Sequence, residues 1–173
     1  MNISKALKLK NRLAGEVSRL KGIVIANNSY IISNASDYDV KEIFEIELQK
    51  RVQELVLVKT VIATSNSSID CNTSVADFCV TKNDYDRSPF WAIFMIAELK
   101  GLIETLQSMS TKHGIVVNQY DASAPSIEYI SIYKSAYVDT IVKEYQSKID
   151  KLQDDLDTHN AIYQNKLLDD IQI

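Results

Sequence analysis

Hydrophobic side chains recur along this chain with helical spacing almost from end to end. Toward the C-terminus, Val138, Val142, Tyr145, Ile149, Leu152, Leu156, His159 and Tyr163 alternate steps of four and three residues. This is the repeat of about 3.5 residues that marks a coiled-coil helix, whose seam needs a partner helix to cover it. It predicts a helix over 135–168, roughly 50 Å long at ~1.5 Å per residue. Near the N-terminus, Ala6, Leu9, Leu13, Glu16, Leu20 and Ile23 predict a first helix over 4–26, with Ser4 as its N-cap and Asn27, Asn28 and Ser29 as its stop. Gly15 and Gly22 inside it each cost ~1 kcal/mol relative to alanine, which points to close approach of a neighbouring helix.

A loop over 30–38 follows, and Asp37 or Asp39 then caps a second helix ending near Ser65. Its seam is Leu48, Val52, Leu55, Lys59, Ile62 and Asn66. Residues 67–88 are polar and aperiodic, a length expected of a segment that is functional, mobile or has small structure of its own. Ser88 and Pro89 open a third helix, with Pro89 suited to its first turn. Ala92, Ile96, Leu99, Ile103 and Leu106 form one face, widened by Phe90, Trp91, Phe94 and Met95, and the helix is expected to end near Lys112. Ile115 to Val117 and Ile127 to Tyr133 have strand composition, and turn residues over 121–125 separate them, so they predict a small antiparallel hairpin.

The expected fold class is therefore mainly α: an antiparallel bundle of long helices, part coiled coil, with a small β-hairpin before the C-terminal helix. All of 1–173 forms one domain. Four glycines and two prolines fit long uninterrupted helices. The last seam exceeds what three internal helices can cover, so a homo-oligomer of cyclic or dihedral symmetry is expected.

Composition then narrows the classes. A net charge of -4 and a pI near 5.2 argue against general nucleic-acid binding, which usually needs a basic excess. No apolar run approaches the ~20 residues of a membrane span. The N-terminal sequence lacks the apolar core of a signal peptide, so a cytoplasmic location is expected. The only cysteines, Cys71 and Cys79, read as free thiols in a reducing compartment. A disulfide stays open, and zinc is disfavoured because only Asp70, Asp77 and Asp84 lie nearby.

Catalysis has little support. The chain has no glycine-rich phosphate loop, no HExxH and no GxSxG, and its histidines, His113 and His159, have no nucleophile near them in sequence. No cofactor is expected. Polar residues do interrupt the seams: Glu16, Lys59, Asn66 and His159. They read as register-setting positions, with Glu16 and Lys59 a natural ion pair. A sharper reading is a polar pocket between helices, lined by Arg12, Glu16, Lys59, Asn66, Glu98 and Lys100. Lys5, Lys8, Arg12 and Arg19, with Lys10 beside them, form a basic face that reads first as solvated surface. Tyr120, Tyr129, Tyr133 and Tyr137 form a candidate stacking platform or half-buried packing.

Three blocks carry a resemblance: ALKLKNRLAGEVSRL (6–20), LVKTVIATSNSSI (57–69) and IAELKGLIETLQSMSTKHG (96–114), with IDKLQDDLDTHNA (149–161) in the same pattern. They resemble a family of short, functionally uncharacterised helical coiled-coil proteins from bacteria and phages or prophages, distantly similar to proteins labelled septicolysin. The recurring polar positions that the resemblance implies fall on Asn11, Arg12, Glu16, Lys59, Asn66, Glu98 and Lys100. The chain departs from that pattern in the 67–88 insertion, which carries both cysteines and two candidate partner-contacting residues, Phe78 and Tyr85. The expected function is a non-enzymatic, oligomeric helical interaction or scaffold protein whose partner is itself or another protein. The alternative is a binder of a small anionic, nucleotide-like molecule, which in a phage setting would sequester a host defence signal.

Overall fold

The first helix, α1 (Ile3–Asn27), buries Ala6, Leu13, Val17, Leu20 and Val24. The computed structural model describes residues 3–35, 37–67, 88–117 and 126–170. The buried line of α1 steps through Val17 rather than Glu16, so Glu16 sits on the flank of the seam and not within it. Gly15 and Gly22 lie on the exposed side, where an added Cβ would meet nothing within 4 Å. The expected close helix approach at these glycines is therefore absent among the described residues. The glycine that sits under a neighbour is Gly101, on the third helix.

The second helix, α2 (residues 40–67), opens with Asp39, whose side chain accepts from the Glu42 amide at 3.0 Å. One wide π turn, Ile43–Leu48, interrupts its regular course before Gln49–Ser67. A π turn fits an extra residue into the ladder and re-aims the side chains around it. Here Ile43, Phe44 and Leu48 all become buried. The third helix, α3 (Pro89–Ser108), begins as its sequence predicts, with the Ser88 hydroxyl accepting from the Phe90 amide at 3.2 Å. It ends at Ser108 rather than near Lys112, because Met109 turns extended and buries its side chain.

The expected hairpin is present as β2 (Gly114–Val116) antiparallel to β3 (Ile127–Ser131). A third strand, β1 (Ser29–Ile31), pairs with the other edge of β3, giving the order β1-β3-β2. The stretch over 30–38 is thus not simply a loop. It supplies a sheet edge and then a single 3-10 turn, Ile32–Asn34. Asn28 makes this joint. It is fully buried, and its side chain accepts from the Tyr133 amide at 2.8 Å while donating to the carbonyls of Tyr133 at 3.0 Å and Ser110 at 2.9 Å. The end of α1, the end of β3 and the segment after α3 are tied at one residue, with every polar atom of that amide group satisfied.

The last helix, α4 (Ser135–Asp170), packs antiparallel along α3. Val138, Ile141, Tyr145 and Ile149 enter the common core with Val24, Phe44, Leu55, Leu102 and Leu106. Burying one such side chain is worth roughly 1.5–3 kcal/mol. The molecule is a mainly helical antiparallel bundle with the sheet at one end, as the sequence pattern predicts.

Candidate functional site

The six polar residues expected to share one pocket fall into separate places. Arg12 is exposed, with Nε 3.9 Å from Glu16 one turn on, and Glu16 turns its other oxygen to Arg51 Nε of α2 at 3.0 Å. Arg51 also holds Glu54 at 2.7 Å. The expected pairing of Glu16 with Lys59 is not formed. Glu16 leaves the seam for the flank that Arg51 reaches, while Lys59 lies about two turns further along α2. Asn66 and Lys100 are both exposed.

Lys59 instead meets Glu98 of α3 at 2.6 Å, and Lys21 of α1 lies 4.0 Å from the other Glu98 oxygen. These three groups form a half-buried triad on three different helices, with side-chain exposures of 12% for Glu98, 19% for Lys21 and 25% for Lys59. Two ammonium groups share one carboxylate. Lys59 also stands over the Phe94 ring, 5.9 Å from its centre. Burial lowers the Lys21 pKa from its ordinary value, against the opposing pull of Glu98 and Glu104, while Lys59 adds repulsion. Gly101 leaves the space that Lys21 uses, since a Cβ there would stand 2.8 Å from Lys21 Nζ. Lys21 and Arg51 were not singled out from the sequence. The one sequence signal for Lys21 is Gly101 itself, a glycine inside an apolar helix one turn past Glu98.

The tyrosines do not form a single platform. Tyr133 and Tyr137 stack with ring centres 5.4 Å apart, whereas Tyr129 faces the Lys112 ammonium at 5.7 Å. Tyr133 is buried. Its hydroxyl donates to Glu45 at 2.9 Å, and its ring meets Phe44 edge-on at 5.6 Å. The π turn lets adjacent residues 44 and 45 both reach this one side chain. Burial first, and then the bond to Glu45, raise the Tyr133 pKa well above the usual phenol range. The basic face on α1 keeps Lys5, Lys8, Arg12 and Arg19 exposed, with Lys10 partly covered. The histidines lie at opposite ends of α3. His113 Nδ1 accepts from the Ser131 amide at 3.3 Å beside the sheet, and His159 lies near Ser88 and Pro89.

A groove runs where α4 leans on α3 and leaves a flank facing α2. One part, about 390 Å³, is lined by the apolar side chains of Val52, Trp91, Met95, Leu99, Tyr145 and Leu152 and by the polar Gln49, Gln53, Lys148 and Lys151. Gln49 donates to the Tyr145 hydroxyl at 2.7 Å across it. A second part of about 330 Å³ continues past Trp91 and Leu152 to Asp155, Leu156 and His159. Along the α4 seam Val138, Tyr145 and Ile149 are buried, Val142, Leu152 and Leu156 are half-buried against the core, and His159 is exposed.

Cys71, Cys79, Phe78, Tyr85 and Tyr120 lie outside the described residues, as does the turn over 121–125. Among the described residues, no group of histidine, cysteine or carboxylate side chains is arranged to hold a metal ion, and no helix is long and apolar enough to cross a membrane. The chain matches no family model, no curated protein and no solved structure.

Proposed function

We propose that this protein is a non-enzymatic helical interaction module of the cytoplasm that works as a homo-oligomer, joined through the distal half of α4. The observation that carries the reading is the mismatch between α4 and the bundle beneath it. α4 has 36 residues against 20 in α3, or about 54 Å against 30 Å. Leu156 and His159 already lie beside Ser88 and Pro89 at the start of α3. The remaining turns therefore run on past α3, and Ile162 there is 54% exposed. A repeat that packs on the core up to Leu156 and, among the described residues, runs on past α3 is what a helix shared between copies requires.

Sedimentation velocity across a concentration series tests this reading. The parent chain should sediment as a defined oligomer, and Leu152→Asp, which sets a charge on the half-buried seam, should yield smaller species. A monomer at every concentration, or an unchanged mass for the variant, refutes it.

A second reading rests on the Lys21–Glu98–Lys59 triad, where half-buried ammonium groups from α1 and α2 converge and would clasp a small anion in competition with Glu98 and Glu104. It expects pyrophosphate to raise the thermal midpoint of the parent but not of Lys59→Ala. An equal rise in both removes this reading.

A further inference from the structure

The flank of α4 that lines the groove carries a charge pattern that is complementary to itself. Lys148, Leu152, Asp155 and His159 follow one another in steps of four, three and four, so they form one stripe in which the distal seam residues Leu152 and His159 alternate with the flanking Lys148 and Asp155. Lys148 and Asp155 are both exposed, and neither is in a salt bridge among the described residues. The positive end of the groove is Lys148 with Lys151, and the negative end is Asp155. Leu152 lies between them and lines both parts.

We infer that the occupant of this groove is a second copy of the same helix, laid antiparallel across it about a two-fold axis between Lys151 and Leu152. This inference rests on the self-association proposed above and specifies its geometry. Reversing a helix about that point brings Lys148 opposite Asp155 of the other copy, and Asp155 opposite its Lys148. The same operation sets His159 against Glu144 of the other copy, and Leu152 beside Lys151, whose methylene stem can cover it. In heptad terms Lys148 and Asp155 occupy the same flanking position on successive heptads. Those positions meet each other in an antiparallel helix pair and set its orientation. A two-fold contact needs one patch complementary to itself, and this stripe meets that requirement.

The distal half of each helix would then lie over Trp91 and Met95 of the other copy. A parallel arrangement would instead place Lys148 beside Lys148 and Asp155 beside Asp155. Charge thus selects the antiparallel register over the parallel one, and like charges set against each other disfavour the wrong one.

Charge reversal tests the register without disturbing the fold, because both side chains are exposed. Each of K148D and D155K sets like charges opposite one another at both symmetric contacts. Each should weaken the oligomer about tenfold by sedimentation equilibrium. The double variant K148D/D155K rebuilds both contacts with the signs exchanged and should return to within about threefold of the parent. Circular dichroism of all three variants checks that helix content is kept. If the parent associates but the single reversals do not weaken it, or the double variant does not recover, this register is wrong while the self-association reading stands. If the parent is a monomer throughout, both fail.

Discussion

Replacing Asn28 by alanine removes the joint between the helical body and the sheet, and the structure fixes how much that should cost. Three hydrogen bonds disappear, but they are not equal. The Tyr133 carbonyl keeps a second donor, the Ser131 hydroxyl at 2.5 Å, and Ser110 is exposed, so water can serve its carbonyl. The Tyr133 amide has no such substitute, because its bond to Asn28 Oδ1 is buried. An orphaned buried donor costs about 1–3 kcal/mol and each of the two other bonds contributes about 0.5–1.5 kcal/mol, so the sum is near 4 kcal/mol. For a chain of this size that corresponds to a thermal midpoint lower by about 10 °C. Urea denaturation followed by circular dichroism measures it. Thr140→Ala is the control, since the Thr140 hydroxyl donates to the Ala136 carbonyl one turn back on an exposed face and should matter by less than about 1 kcal/mol. A loss below about 1 kcal/mol for Asn28→Ala, or equal losses for the two variants, would refute the account of the joint.

Glu98→Gln leaves two half-buried ammonium groups without their carboxylate and should cost about 2 kcal/mol. Lys59→Met should cost less than about 1 kcal/mol, because Glu98 keeps Lys21 and the methionine still packs on Phe94; the reverse order in chemical denaturation would contradict the triad. Gly22→Ala should stabilise by about 1 kcal/mol, since the site is open and helical. A loss of stability there would mean that something covers this face of α1. Tyr133 keeps its proton in the folded state well above 10.0, the value at which the unfolded phenol titrates. Its contribution is therefore intact below pH 10 and declines above it, as the unfolded chain ionises first. Tyr133→Phe should lower the thermal midpoint at neutral pH yet flatten its decline at alkaline pH; parallel curves for the two proteins would sink this assignment. Lys21 works in the opposite sense below its usual pKa, but it is common to both proteins and cancels in the comparison.

The long helices were legible because their apolar period needs only local sequence. Ser88 with Pro89 marked the start of α3 through the same chemistry that caps it. What escaped detection depended on partners far along the chain. β1 has only three residues, too few for an alternating pattern, and it is a strand because Ser131, Ile130 and Tyr129 lie beside it. The π turn in α2 coincides with Phe44 and Glu45 both meeting Tyr133, a contact across 88 residues that no local propensity encodes. Among the site residues, Lys59 and Glu98 were singled out and do pair. The Arg51 partner of Glu16 is not legible in the sequence because the buried line of α1 takes Val17 in place of Glu16, which leaves Glu16 on the flank that Arg51 reaches. The expectation that the last helix outruns its cover rests on repeat length; within the chain Leu152 and Leu156 still pack on the core, and exposed seam positions begin at His159.

The most direct test of self-association through distal α4 is amide hydrogen exchange of the intact protein, measured at high and low concentration. The account predicts that amides over 150–162 and the first turns of α3 exchange more slowly at high concentration, while α1 and the sheet are unchanged. Exchange independent of concentration along α4, or protection gained on α1 or the sheet instead, would contradict it.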